Sequence, residues 1–168
     1  MNSDPAQPEH DHDKKHKPAK AYGRFATMIA TSTVVMYGLM YLNTYEWSHV
    51  FFSETRAYMV LVMGSTMAAI MLAFMLKMHP SRRANLGIFA GSVAVFALSL
   101  WLVRSQRTVE DVSWMKAMIP HHSIAILTSE RARIEDPRVR ALADQIIEAQ
   151  RREIAEMEAL IKDLKARR

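Results

Sequence analysis

The sequence predicts an all-α membrane protein in which three membrane spans are followed by an external two-helix hairpin of the four-helix-bundle type. Two observations carry this. Three uncharged apolar runs, Phe25–Asn43, Ala57–Leu76 and Leu86–Val103, each have the length that a helix needs to cross a bilayer core of about 30 Å. After Val103 the composition then turns abruptly to charged sequence with helical periodicity. Residues 1–24 form the first domain, 25–103 the membrane domain and 104–168 the water-exposed domain.

Composition narrows the chemistry. The chain of 168 residues has no cysteine, which removes disulfides and thiolate metal sites, and it has 13 methionines, which supply thioethers instead. Its formal net charge of +5 is dispersed rather than gathered into a basic stripe, so nucleic-acid binding is excluded as the main role. The water-exposed domain is too small to bury a large core by itself, which makes a homo-oligomer the expected state.

In chain order, residues 1–24 are polar, carry His10, His12 and His16, and hold too few apolar residues to offset the entropy of ordering; a disordered cytoplasmic tail is expected. The first span, 25–43, reads as an uncleaved anchor because no small-residue cleavage site follows it. The second, 57–76, carries Met59, Met63, Met67, Met71 and Met75 at every fourth position, and Met36 and Met40 repeat that spacing in the first. Such a ladder either packs helices or conducts a soft ion, and packing is favoured because no polar group marks a path. Gly87 and Gly91 in the third span, 86–103, form a G-x-x-x-G pair that would permit close helix approach. Lys14, Lys15, Lys17, Lys20 and Arg24 precede the first span, and Lys77, Arg82 and Arg83 lie in the second loop, whereas the first loop holds Glu46, Glu54 and a single Arg56. The positive-inside rule then puts the N-terminus in the cytoplasm and the C-terminal domain in the periplasm. Tyr41, Tyr45, Trp47, Tyr58 and Trp101 cluster at the outer ends of the spans, as an interfacial aromatic belt does.

The external domain begins with Thr108 as an N-cap and a helix over 109–134 that contains Pro120, where a kink is expected. Asp136-Pro137 opens a second helix whose apolar stripe is Val139, Ala143, Ile146, Ile147, Ile154, Met157, Ile161 and Leu164, interrupted by Gln150. The first helix carries Met115, Met118, His121 and His122 within about two turns, the second Gln150, Glu153 and Met157. Reflection about a turn near Glu135-Asp136 sets the histidines opposite Gln150, Met118 opposite Glu153 and Met115 opposite Met157. Several polar groups at one level of a hairpin point to a metal site, and the competing account is a His122–Gln150 hydrogen bond that fixes register. Thioether with imidazole favours Cu(I) over other transition metals. Glu46, His49 and Glu54 in the first outer loop are placed to reach this domain, more naturally as hydrogen-bonding groups than as ligands.

The pattern Asp111-x-x-Trp-x-x-x-Met118-Ile-Pro-His-His122, then Asp136-Pro-Arg-Val, then Gln150-x-x-Glu153-Ile-x-x-Met157 resembles domain-of-unknown-function family 305 over roughly residues 108–164. That family is similar to ferritin-like bundles and includes periplasmic copper-binding proteins of bacteria. The resemblance implies a copper homeostasis role carried by Met118, His121, His122, Gln150, Glu153 and Met157. No catalytic constellation is evident, and the Glu-x-x-His pairs of di-iron bundles are absent. The expected function is therefore copper binding at the bacterial inner membrane. The alternatives are an oligomerisation module without metal, or a metal-dependent redox enzyme.

Overall fold

The computed structural model describes residues 12–167, and the described residues are all-α. Five helices follow one another: α1 (His12–Leu39), α2 (Glu54–Phe74), α3 (Arg82–Ser105), α4 (Asp111–Arg131) and α5 (Pro137–Ala166), with single 3-10 turns at Trp47–His49 and Leu76–Met78.

Among the described residues two helices, not the expected three, are long and apolar enough to cross a membrane: α2 with mean hydropathy 1.9 and α3 with 2.2. The first expected span, 25–43, falls short because its helix ends at Leu39 and residues 40–43 are turns. The apolar helical part that remains covers only about 22 Å, and Thr27, Thr31, Ser32 and Thr33 dilute it. At its other end α1 begins at His12, inside the stretch expected to be unstructured. Once a helix is nucleated, each added residue costs little, so the Lys- and Ala-containing segment extends the apolar helix backward. His12 and His16 thus lie in its first turns, while His10 falls outside the described residues.

α1 nonetheless runs beside α2 from end to end. At one end the Tyr22 hydroxyl donates to Asn85 Oδ1 at 2.7 Å. The rings of Tyr22 and Phe25 meet that of the buried His79 edge-on, with centroids 4.7 and 5.5 Å away. At the other end Ser53 N–H donates to the Tyr41 hydroxyl at 3.2 Å, and Arg56 donates to the Met40 carbonyl at 2.7 Å with its guanidinium over the Tyr41 ring. Midway, a Cβ on Gly64 would stand 2.6 Å from Thr33 Oγ1, so only glycine allows the two backbones to come this close. The expected Gly87/Gly91 pair has no such role: a Cβ at either position would meet nothing within 4 Å. α3 packs on α2, and the face of α3 that carries Gly91 opens instead onto a groove of 560 Å³ between α1 and α3. Met59 and Met63 are partly exposed on α2, and no methionine of the ladder lines that groove.

The chain reverses after α3 through Gln106, which takes a left-handed backbone (φ 51°) and closes the helix with its N–H on the Leu102 carbonyl. α4 starts at Asp111, two residues later than expected, and its N-cap position is held by Glu110, whose side chain does not cap the helix. Thr108, expected to cap, is drawn away by a 3.0 Å hydrogen bond with Tyr58 at the outer end of α2. α4 then continues through the buried Pro120 to Arg131. α5 starts as expected: Asp136 accepts from Arg138 N–H, and Pro137 occupies the first turn. The Arg138 guanidinium beside it, 2.7 Å away, holds the Asp136 carboxyl below the ordinary carboxylate range, so the cap keeps its charge.

α4 and α5 are antiparallel and bury a shared core of Met115, Ile119, Ile126, Ile147, Ile154, Met157 and Ile161. Of the apolar stripe expected on α5, Val139 and Ile146 stay largely exposed, as does Leu142. This helical pair rests on the α1–α2 loop and the start of α2 through polar contacts. Ser113 of α4 donates to Glu54 at 2.8 Å, and Thr55 donates to Gln106, at the reversal before α4, at 3.3 Å. Ser123, fully buried, accepts from Tyr45 N–H at 2.7 Å and lies 3.0 Å from His49 Nδ1.

Candidate metal centre

Consecutive helical positions lie about 100° apart, so His121 and His122 cannot face the same neighbour. Their ring centroids are 6.2 Å apart and their planes inclined by 66°. His122 turns toward α5, where its Nε2 lies 2.8 Å from Glu153 Oε2, while its Nδ1 lies 3.0 Å from the Met118 carbonyl. A carbonyl and a carboxylate thus flank the two ring nitrogens, and the His122 side chain is 12% exposed against 48% for Glu153. To bind a metal through Nε2 it would have to leave Glu153.

His121 faces the other way. With Met118 it lines a cavity of about 610 Å³ between α4, the C-terminal end of α1 and the N-terminal end of α2. Neither nitrogen of His121 is engaged by a described residue, so its lone pair is available without breaking a bond. Met118 sits at the divide, partly packed on the α4–α5 core and partly on the cavity wall.

The remaining expected residues divide between core and rim. Met115 and Met157 are 5% and 7% exposed among the isoleucines of the core, where they serve as apolar filling. Gln150 is half-buried and does not bond to His122; Glu153, about one turn further along α5, takes that place. Reflection about the turn misplaced the register because side chains lean toward the N-terminus of their own helix, away from the turn on α4 and toward it on α5, so a residue further along α5 meets His122. Among the described residues no three His, Asp or Glu side chains converge as a ligand set.

The outer-loop residues behave as hydrogen-bonding groups. His49 is buried against Ser123, with Glu46 3.9 Å from its Nε2, and Glu54 is engaged by Ser113. Three contributors to the cavity wall were not read as such from the sequence: Trp114, which appears there only as part of the motif, and Met40 and Met59, which appear there as rungs of a ladder.

The family model described as Domain of unknown function (DUF305) matches residues 105–168, that is, the reversal at Gln106 and the α4–α5 pair. An uncharacterized protein of Acanthamoeba polyphaga mimivirus is 33% identical over 110 residues, which are 64% of this chain and 70% of that protein. That overlap is longer than the α4–α5 pair alone. No solved structure matches.

Proposed function

We propose, since the chain belongs to the DUF305 family, that it is a membrane-anchored metal-binding protein whose α4–α5 pair holds copper, with Cu(I) preferred, on the periplasmic side of a bacterial inner membrane. The observation that carries this reading is the pairing of the unengaged His121 imidazole with the Met118 thioether on one cavity wall. An imidazole and a thioether fit a soft monovalent ion better than zinc, which would look for carboxylate or thiolate. The residues present therefore fit copper. His121 and Met118 would hold it, with His122, Glu153 and Gln150 on the adjoining rim, and when bound it would supply a redox-capable soft centre.

The course of α1 supports a topology in which it crosses the bilayer beside α2 and α3, its shorter apolar segment extended by polar turns at both ends. Lys20, Arg24, Lys77, Arg82 and Arg83 gather at the inner end, as the positive-inside rule asks. Arg56, the cation that seemed to break the pattern in the outer loop, is buried against Met40 and Tyr41 and does not count as a free loop charge. The exposed Val139, Leu142 and Ile146 favour self-association of the pair into a four-helix bundle of ferritin-like type.

Elemental analysis of the full chain, purified without chelator, tests the reading: copper near one equivalent per chain is expected, and His121→Ala should lose most of it. Protein that remains metal-free after incubation with Cu(I) overturns it. A cysteine at Ser129 should be labelled by a membrane-impermeant reagent once the outer membrane is opened; labelling only after the inner membrane is permeabilised overturns the topology.

A further inference from the structure

Four soft or borderline donors line the junction cavity, two from each side. Met40, just past the end of α1, and Met59, on the first turns of α2, come from the membrane unit; Met118 and His121 come from α4. We propose that this cavity is the binding site of a single monovalent soft cation of the Cu(I) or Ag(I) class, held by the thioethers of Met40, Met59 and Met118 and by the imidazole of His121. The proposal rests on the metal-binding reading above and moves the ion from within the α4–α5 pair to the seam between that pair and the membrane helices.

The state of each methionine supports this. Met115 and Met157 are consumed by the core at 5% and 7% exposure, whereas Met59 is 45% exposed and free to turn its sulfur inward. Met40 is half-buried at the cavity wall. An unbranched thioether has three rotatable bonds, so each sulfur can take a range of positions about the cavity. Trp114, Ala117 and Ile124 add apolar surface to the wall beside Met118 and His121.

The charge of the wall selects the class of ion. Among the described residues no carboxylate lines the cavity, and the one charged group on it is the Arg56 guanidinium. That group is fixed in place by the Met40 carbonyl at 2.7 Å and by the Tyr41 ring 4.5 Å beneath it. Repulsion grows in proportion to the charge of the bound ion, so a divalent cation meets twice the penalty that Cu(I) meets, with no anionic ligand to offset it. Neutral sulfur donors with a nearby fixed cation thus favour a monovalent soft ion and disfavour Zn(II) and Cu(II).

The test uses the full chain in detergent micelles, titrated with Cu(I) against a chromogenic Cu(I) chelator, beside a Met40→Leu/Met59→Leu double variant. Leucine conserves volume, so the helical fold should persist, and circular dichroism checks it. The double variant should bind Cu(I) at least about tenfold more weakly. X-ray absorption should count three sulfur neighbours on copper in the parent and one in the variant. About a hundredfold excess of Zn(II) should not displace Cu(I) from the parent. If the variant binds like the parent with an unchanged sulfur count, the junction site is overturned and the metal-binding reading stands. If the parent binds no Cu(I), both fall.

Discussion

Of the two serines that join the α4–α5 pair to the rest of the chain, Ser113 and Ser123, only Ser123 is fully buried. Its hydroxyl is fully buried; it accepts from Tyr45 N–H and has its own proton available for His49 Nδ1. A backbone donor deprived of its partner in a buried site loses about 1–3 kcal/mol, whereas a lost surface hydroxyl costs within about 0.5 kcal/mol. Ser123→Ala should therefore weaken the seating of the outer loop by that larger amount. Thr128→Ala, whose hydroxyl bonds only to carbonyls of its own helix at Ile124 and Ala125 and is exposed, serves as the control. Amide hydrogen exchange is the measurement: exchange at Tyr45 should quicken by roughly tenfold or more in Ser123→Ala and stay unchanged in Thr128→Ala. Equal protection in both variants would show that the loop is held by other contacts. Nothing in the sequence marks Ser123, because a serine one residue past a histidine pair reads as a polar surface position until the fold shows what it faces.

At the scale of elements, the two candidate glycine sites of α1–α3 separate cleanly. Gly64 lies where α1 and α2 touch, and an added methyl would press on Thr33, whose hydroxyl is already committed to the Ile29 carbonyl at 2.8 Å. Gly64→Ala should destabilise the packing of α1 on α2 by about 1–3 kcal/mol, the usual range for overpacking. Gly91→Ala should be neutral or slightly stabilising, since open space surrounds it and alanine is the better helix former. Unfolding in mixed micelles with increasing denaturing detergent gives the comparison, and a larger loss in Gly91→Ala would mean that the G-x-x-x-G pair, not Gly64, governs helix approach. The spacing rule chose Gly87 and Gly91 because it reads one helix at a time; which glycine meets another backbone depends on how α1 lies, and a lone glycine carries no such signal. The apolar runs made α2 and α3 legible, and Asp136-Pro137 made the start of α5 legible, since both depend on local sequence alone. The end of α1 at Leu39 and the loss of Thr108 as a cap were not, because a tertiary partner decides each. The same distinction runs through the candidate site: the cluster of donors on α4 was legible, but which imidazole faces Glu153 and which faces Met118, Met40 and Met59 depends on how the pair is seated.

For the whole molecule, the open question is what covers the second apolar stripe of α5. One face of the helix is buried on α4 through Ala143, Ile147, Ile154, Met157 and Ile161, and a second, formed by Val139, Leu142 and Ile146 at 49%, 55% and 37% exposure, is left to solvent. The i, i+3, i+7 spacing makes this a continuous ridge, the kind that packs into another helix. Two helices alone cannot enclose a bundle core, whereas two copies of the pair laid ridge to ridge can, and charged residues such as Arg138 and Arg140 beside the stripe would remain at the rim. The chain is therefore expected to be a dimer through α5, with the junction cavity of each copy on the opposite face and unaffected. Leu142→Glu/Ile146→Glu should give monomers, because burying two carboxylates against an apolar partner costs several kcal/mol. Light scattering corrected for detergent, at micromolar protein, measures this directly. A parent that is already monomeric would leave the stripe without a partner of its own kind. A dimer that survives both glutamates would place the interface on the membrane helices instead, where the groove between α1 and α3 would be the next surface to substitute.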